Sequence, residues 1–89
     1  LQPEHYRTQM GLGYLYLQMG RYDQANQALA SSVRLLPVTE NLFLLAEARE
    51  KSGDLEGAKS LYRLVVESDG SSKLGRTAAS RLASSAGAK

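Results

Sequence analysis

Met19-Gly20-Arg21-Tyr22-Asp23-Gln24-Ala25 returns, 33 residues later, as Ser52-Gly53-Asp54-Leu55-Glu56-Gly57-Ala58. Each copy lies between two stretches whose apolar residues recur at helical spacing. A fixed period of this size is the mark of stacked helix-turn-helix units, which bury their apolar faces against one another. Such stacks present surfaces to other proteins, so the repeat bears on function as well as on fold.

Working outward, five helices are expected. The first spans about Pro3 to Met19, with proline in a first turn where its missing N–H costs nothing. Leu12, Leu15, Tyr16 and Met19 form its apolar stripe. Gly20 ends it by adopting a left-handed conformation. The second spans roughly Tyr22 to Leu36, with Ala25, Ala28, Leu29, Val33 and Leu36 inward, and Pro37 stops it. The third runs from Thr39, an expected N-cap, to Ser52, with Leu42, Leu45, Ala46 and the stem of Arg49 inward. Gly53 repeats the part of Gly20.

Asp54 is placed to cap the fourth helix by accepting backbone N–H groups. That helix carries Leu55, Ala58, Leu61, Tyr62, Val65 and Val66. Ser68-Asp69-Gly70-Ser71-Ser72 reads as a break. The fifth helix, about Lys73 to Ser85, keeps a thin stripe of Leu74, Ala78 and Leu82. Lys73, Arg76, Ser80, Arg81 and Ser84 are expected on its solvent side, and Gly87-Ala88-Lys89 reads as a frayed end.

The bulk numbers agree with a small helical domain. Eighty-nine residues, 43% hydrophobic and 22% charged, make one domain with a modest core. A net charge of +2 gives no reason to expect nucleic acid. The basic stretch after Ser71 reads as the wet face of a terminal helix. With no cysteine there is neither a disulfide nor a thiolate metal site, and the compartment stays open between cytoplasm and a bacterial periplasm. The longest run of large apolar residues, 42–45, is far short of the roughly 20 that a membrane span needs. The chain starts at Leu1 and not at Met, and is expected to be a segment of a longer protein.

Chemistry finds little footing. His5 is the one histidine and has no carboxylates at ligand spacing. Gly11-Leu12-Gly13 lies within a helix and is too short for a dinucleotide fingerprint. No serine has a histidine base in a triad-like setting. No cofactor, metal or catalytic residue is expected in this segment.

The chain resembles the tetratricopeptide repeat family. Leu12-Gly13, Tyr16, Ala25, Leu29 and Pro37 in a first unit, and Leu45-Ala46, Ala58 and Tyr62 in a second, match its pattern of small and large residues. Departures are visible too. Gln9 and Leu42 stand where the family has its early tryptophan, Arg49 where an aromatic is usual, and Gly70 where the closing proline is usual. The spacing is one short of the usual 34. The resemblance covers about Tyr6 to Gly70.

It implies an all-α superhelix of antiparallel helix pairs: unit one about 6–38, unit two about 39–71, and a capping helix about 72–85. It also implies a concave groove lined by the first helix of each unit. Carried over, the groove positions are Arg7, Met10, Gly11, Tyr14, Leu17 and Gln18, then Glu40, Phe43, Leu44, Glu47, Glu50 and Lys51. Met10, Tyr14, Leu17, Phe43 and Leu44 are not needed for the packing stripes, so they read as an exposed apolar patch with Gln18, Glu47 and Lys51 beside it. Phe43 and Leu44 have a competing reading, as packing for a neighbouring helix.

The resemblance therefore implies a protein-interaction module holding a peptide or helix. One subfamily clamps the carboxylates of chaperone tails with Lys and Asn in this groove. Met10, Tyr14 and Leu44 stand in those places, so that ligand is not expected. Glu40, Glu47 and Glu50 read as a negative rim or as an ordinary solvated face. Two alternatives stand beside the adaptor reading: a non-catalytic appendage of an enzyme such as a protease or transferase, and a self-assembly module.

Overall fold

In the computed structural model, which describes residues 5–87, five helices follow one another in sequential antiparallel pairs. They are α1 (His5–Gln18), α2 (Tyr22–Leu35), α3 (Thr39–Lys51), α4 (Leu55–Asp69) and α5 (Lys73–Gly87). The expected start of α1 at Pro3 and the expectation for Ala88 and Lys89 lie outside the described residues, whereas Gly87, expected beyond the end of α5, is its last residue. Each unit is a helix pair, α1–α2 and α3–α4. α5 packs on α4 and α3 as the first helix of a further unit would.

The repeated phrase makes the same turn twice. Gly20 and Gly53 have φ of 75° and 96°, a region that favours glycine. In the first turn the Gly20 N–H donates to Leu17 O at 3.1 Å and Arg21 N–H to Tyr16 O at 2.8 Å. Gly53 and Asp54 repeat this onto Glu50 O and Arg49 O at 3.1 and 2.8 Å. This paired closure satisfies carbonyls that a helix end leaves open. Asp54 then caps α4, accepting from the Gly57 N–H at 3.0 Å.

The hinge between units is fixed by a buried polar cluster. Asn41 donates to Leu36 O at 2.8 Å and to Ser32 Oγ at 2.9 Å, and its Oδ1 accepts from the Val38 N–H at 2.9 Å. The Ser32 hydroxyl in turn donates to Tyr6 O at 2.7 Å. α1, α2 and α3 are thereby tied by groups whose burial would be costly if unpaired. The N-cap of α3 is thus Val38 and not Thr39. An Asn41 side chain reaching back replaces the threonine hydroxyl, which instead lies 3.2 Å from Ser68 Oγ on α4.

Small residues set the helix spacing. A Cβ on Gly13 would collide with the side chain of Leu29, so α1 and α2 cross where α1 has no side chain. Ala46, Ala25 and Ala58 are buried at comparable crossings. Two apolar clusters result. One joins Ala25 and Leu29 to Leu45 and Ala48 across α2 and α3. The other joins Leu42, Phe43 and Ala46 to Ala58, Tyr62, Val65 and Ala78 across α3, α4 and α5.

The expected stripe of α1 is corrected by this packing. Leu12, Leu15 and Met19 are 40%, 56% and 58% exposed, and Gly13 alone is buried on α1. The helical spacing is present, but of the four stripe residues Tyr16 alone packs on the first cluster, beside the close approach of Gly13 to Leu29. Leu36 and Leu55 are exposed as well, since each lies at a helix end beyond the packed region. Among the described residues no helix is long and apolar enough to cross a membrane.

Candidate functional site: the face shared by α1 and α3

α1 and α3 lie side by side, so their matching faces form one surface. Tyr14, Leu17 and Gln18 from the last turns of α1 meet Glu47 and Lys51 from α3, and Tyr22 from the start of α2 joins them. Together they line a cleft of about 240 Å³. Tyr14 is 49% exposed, which leaves a large amphipathic ring open to water. The mixture of three apolar groups with an amide, a carboxylate and an ammonium suits a partner that is apolar in its middle and polar at its edges. Tyr22 was missed as a lining residue because it belongs to the turn phrase. Its place next to Gly20, which folds the chain back beneath α1, is the signal that could have found it.

Three expected groove residues sit elsewhere. Phe43 is only 7% exposed and packs in the second cluster, its ring edge-on to Tyr62 with centroids 5.7 Å apart. Met10 and Leu44 are partly buried against the first cluster. The expected apolar patch is therefore smaller than the spacing implied. α5 takes up the Phe43 side of α3, and the neighbouring helices take up the others. Of the wider set, Arg7, Gly11 and Glu40 are exposed away from the cleft lining.

Arg81 explains how α5 reaches Phe43. It does not lie on the solvent side of α5 as expected but turns inward over both rings, 5.7 Å from the Phe43 centroid and 5.9 Å from that of Tyr62. Its Nη1 donates to the Tyr62 hydroxyl at 2.9 Å and lies 3.4 Å from Glu50 Oε1. Its Nη2 lies 3.4 Å from Glu47 Oε2. The Tyr62 hydroxyl in turn donates to Glu50 at 2.8 Å.

Burial first, and then this bond to Glu50, push the Tyr62 hydroxyl far above its ordinary value of about 10. Burial opposes the charge on Arg81, but Tyr62 and the two carboxylates outweigh it and raise its value. Glu47 and Glu50 are accordingly not an open negative rim, because one guanidinium faces both. Stacking on two rings while serving two carboxylates is work that a planar guanidinium can do and an ammonium cannot.

Among the described residues no three His, Cys, Asp or Glu side chains converge on a place that could hold a metal ion.

Tetratricopeptide repeat models match residues 6–37 and 40–72, one per helix pair. The chain belongs to the tetratricopeptide repeat family. The repeats of this family are in general protein–protein interaction modules and typically carry no catalytic site of their own. No curated protein and no solved structure matches the chain at a significant level. The fifth helix beyond the second repeat is consistent with a capping helix.

Proposed function

We propose that this tetratricopeptide repeat segment is an adaptor that seats a partner peptide or helix on the α1–α3 face. The carrying observation is the convergence of Tyr14, Leu17, Gln18, Glu47 and Lys51 with Tyr22 on one cleft. The backbone beneath it is held by the two glycine turns and the Asn41 cluster, so the side chains are displayed on a rigid floor. A preformed surface loses little entropy on binding. Tyr14 is the expected anchor, since exposed tyrosines near the centre of an interface tend to dominate its energy. Lys51 at the rim favours an acidic group on the partner, whereas Glu47 is shared with Arg81. An amphipathic helix or an extended apolar segment meets this description.

The test uses capture from native lysate by wild-type protein, by a Tyr14→Ala/Lys51→Glu variant and by a Leu64→Ser control on the exposed outer side of α4. Equal helicity by circular dichroism is required first. The expected result is a protein retained by wild type and control and lost by the cleft variant. Capture unchanged by the cleft variant overturns the assignment. Phe43 is unsuitable for this purpose, because a charge placed there would unfold the second cluster.

A further inference from the structure

We infer that a hollow on the α2–α3 boundary, bounded by Arg34 and Arg49, is a binding site for a phosphorylated serine side chain of a partner protein. It shares no residue with the cleft between α1 and α3, and the inference does not rest on that cleft.

The hollow has a volume of about 300 Å³ and is lined by Asn26, Gln27, Ala30, Ser31, Arg34 and Arg49. No carboxylate lines it, and neither guanidinium enters an ion pair among the described residues. Arg81 is the contrast, since its charge meets both Glu47 and Glu50. Arg49 is partly buried. A charge drawn part-way out of water with no counter-ion is costly to keep.

The repeat itself does not ask for these cations. Shifted by one unit, Arg49 corresponds to Tyr16 before it and to Leu82 after it. Both of those residues pack on the apolar clusters. Arg34 corresponds to Glu67 on α4. The α4–α5 boundary therefore has Glu67 and Leu82 where the α2–α3 boundary has two arginines. Helix packing is served by an apolar residue at the place of Arg49, so the charge there answers to something outside the helices.

The donor set selects the anion. A guanidinium offers a planar fork of N–H groups that matches the oxygens of a phosphate. Arg34 Nη2 donates to Ser31 Oγ at 3.0 Å, which steadies that fork and leaves its other N–H groups for a ligand. Ser31 accepts this bond, so its own hydroxyl proton can be donated outward. Two cations balance the roughly −1.5 to −2 charge of a phosphomonoester near neutral pH, whereas a carboxylate balances only one. The hollow is larger than a phosphate group fills. Ala30, its one apolar lining residue, offers a contact to the carbon stem of a phosphoserine.

Chemical-shift titration of the isotope-labelled protein tests this. The probes are a short alanine–glycine peptide with one central phosphoserine, its unphosphorylated twin, and inorganic phosphate. The expected result is saturable shifts at Ala30, Ser31 and Arg49 with the phosphopeptide, and binding at least about tenfold weaker for the other two probes. Arg34→Gln should weaken phosphopeptide binding by about tenfold. Arg63→Gln removes the same charge from an exposed position on α4 and should leave binding unchanged. Arg49→Tyr supplies the aromatic that Tyr16 provides one repeat earlier, and should keep the helicity and lose the binding. Arg34 is exposed, so its variant reports on the site whatever the fate of the Arg49 variant. Three results overturn the inference: no saturable shift in the folded protein, inorganic phosphate bound as tightly as the phosphopeptide, or binding weakened equally by Arg63→Gln and Arg34→Gln.

Discussion

α1 and α3 are equivalent helices one repeat apart, and they are buried very differently. α3 buries Asn41, Leu42, Phe43, Leu45, Ala46 and Ala48, whereas α1 buries Gly13 alone. The residues of α1 are no less apolar, since Leu12, Leu15, Tyr16, Leu17 and Met19 crowd its second half. The contrast shows that in a stack of helix pairs burial belongs to the neighbours as much as to the helix. α3 is enclosed by α2, α4 and α5, while α1 meets α2 and the edge of α3. With fewer neighbours among the described residues, α1 keeps the sequence of an enclosed helix and the exposure of a surface one.

The widest gap between the two helices is expected at Phe43 and its counterpart Met10. Phe43→Ala should cost about 3–5 kcal/mol, because it empties a position enclosed by Tyr62, Arg81 and the second cluster. Met10→Ala, at a partly buried edge, should cost roughly 1 kcal/mol. Urea denaturation of each variant measures both, and equal losses would break the contrast.

A second pair inverts the order. Gly13→Ala on α1 forces a Cβ into Leu29 and should cost about 1–3 kcal/mol. Ala46→Gly, the reverse exchange at the matching place, should cost only about 1 kcal/mol. The crossing at Gly13 is thus the one point where the open helix is the less tolerant of the two.

The third prediction concerns what closes the far end. Arg81→Ala should cost roughly 1–2 kcal/mol by leaving the Tyr62 hydroxyl and two carboxylates without their common partner. Hydrogen exchange should quicken in α5 and remain unchanged in α1. Raised pH attacks the same cluster. The Tyr62 proton is held more tightly folded than unfolded, so its contribution is complete below about pH 10 and declines as pH rises above that value. Tyr62→Phe should flatten this alkaline decline in a pH series of melting temperatures. An unchanged slope would remove the tyrosine from the account.

The smallest effect is expected at Leu15. In the 89-residue chain Leu15→Ala should stay within about 0.5 kcal/mol of wild type, where Ala48→Leu at the matching place overpacks by about 1–3 kcal/mol. A large loss at Leu15 would mean that its exposed setting is wrong.

Much of the fold was legible because its signals are local. Gly20 and Gly53 announce left-handed turns, Asp54 announces a cap, and Pro37 announces a stop. Those residue types act through their own backbone, and the structure places each where the pattern put it. The site was less legible because its make-up depends on which neighbours arrive. Tyr14 and Lys51 line one cleft. Phe43 occupies an equivalent groove position on paper and is lost to α5. Arg81 was unreadable for the same reason. Within α5 it looks like one of several surface cations, and only the approach of Glu47, Glu50 and Tyr62 from two other helices gives it an inward role. The Asn41 cap was hidden too, since Thr39 is the more obvious capping residue and Val38 offers no side chain to suggest the alternative.

The most direct test of the central claim is a site-specific photocrosslink from this protein in native lysate, with a benzophenone side chain in place of Tyr14 and, separately, of Leu64. The account predicts a discrete protein adduct from position 14 that Lys51→Glu weakens, and none from position 64. Adducts of equal yield from both positions, or none from position 14 while the protein holds its partner, would contradict the assignment of the α1–α3 face as the binding surface.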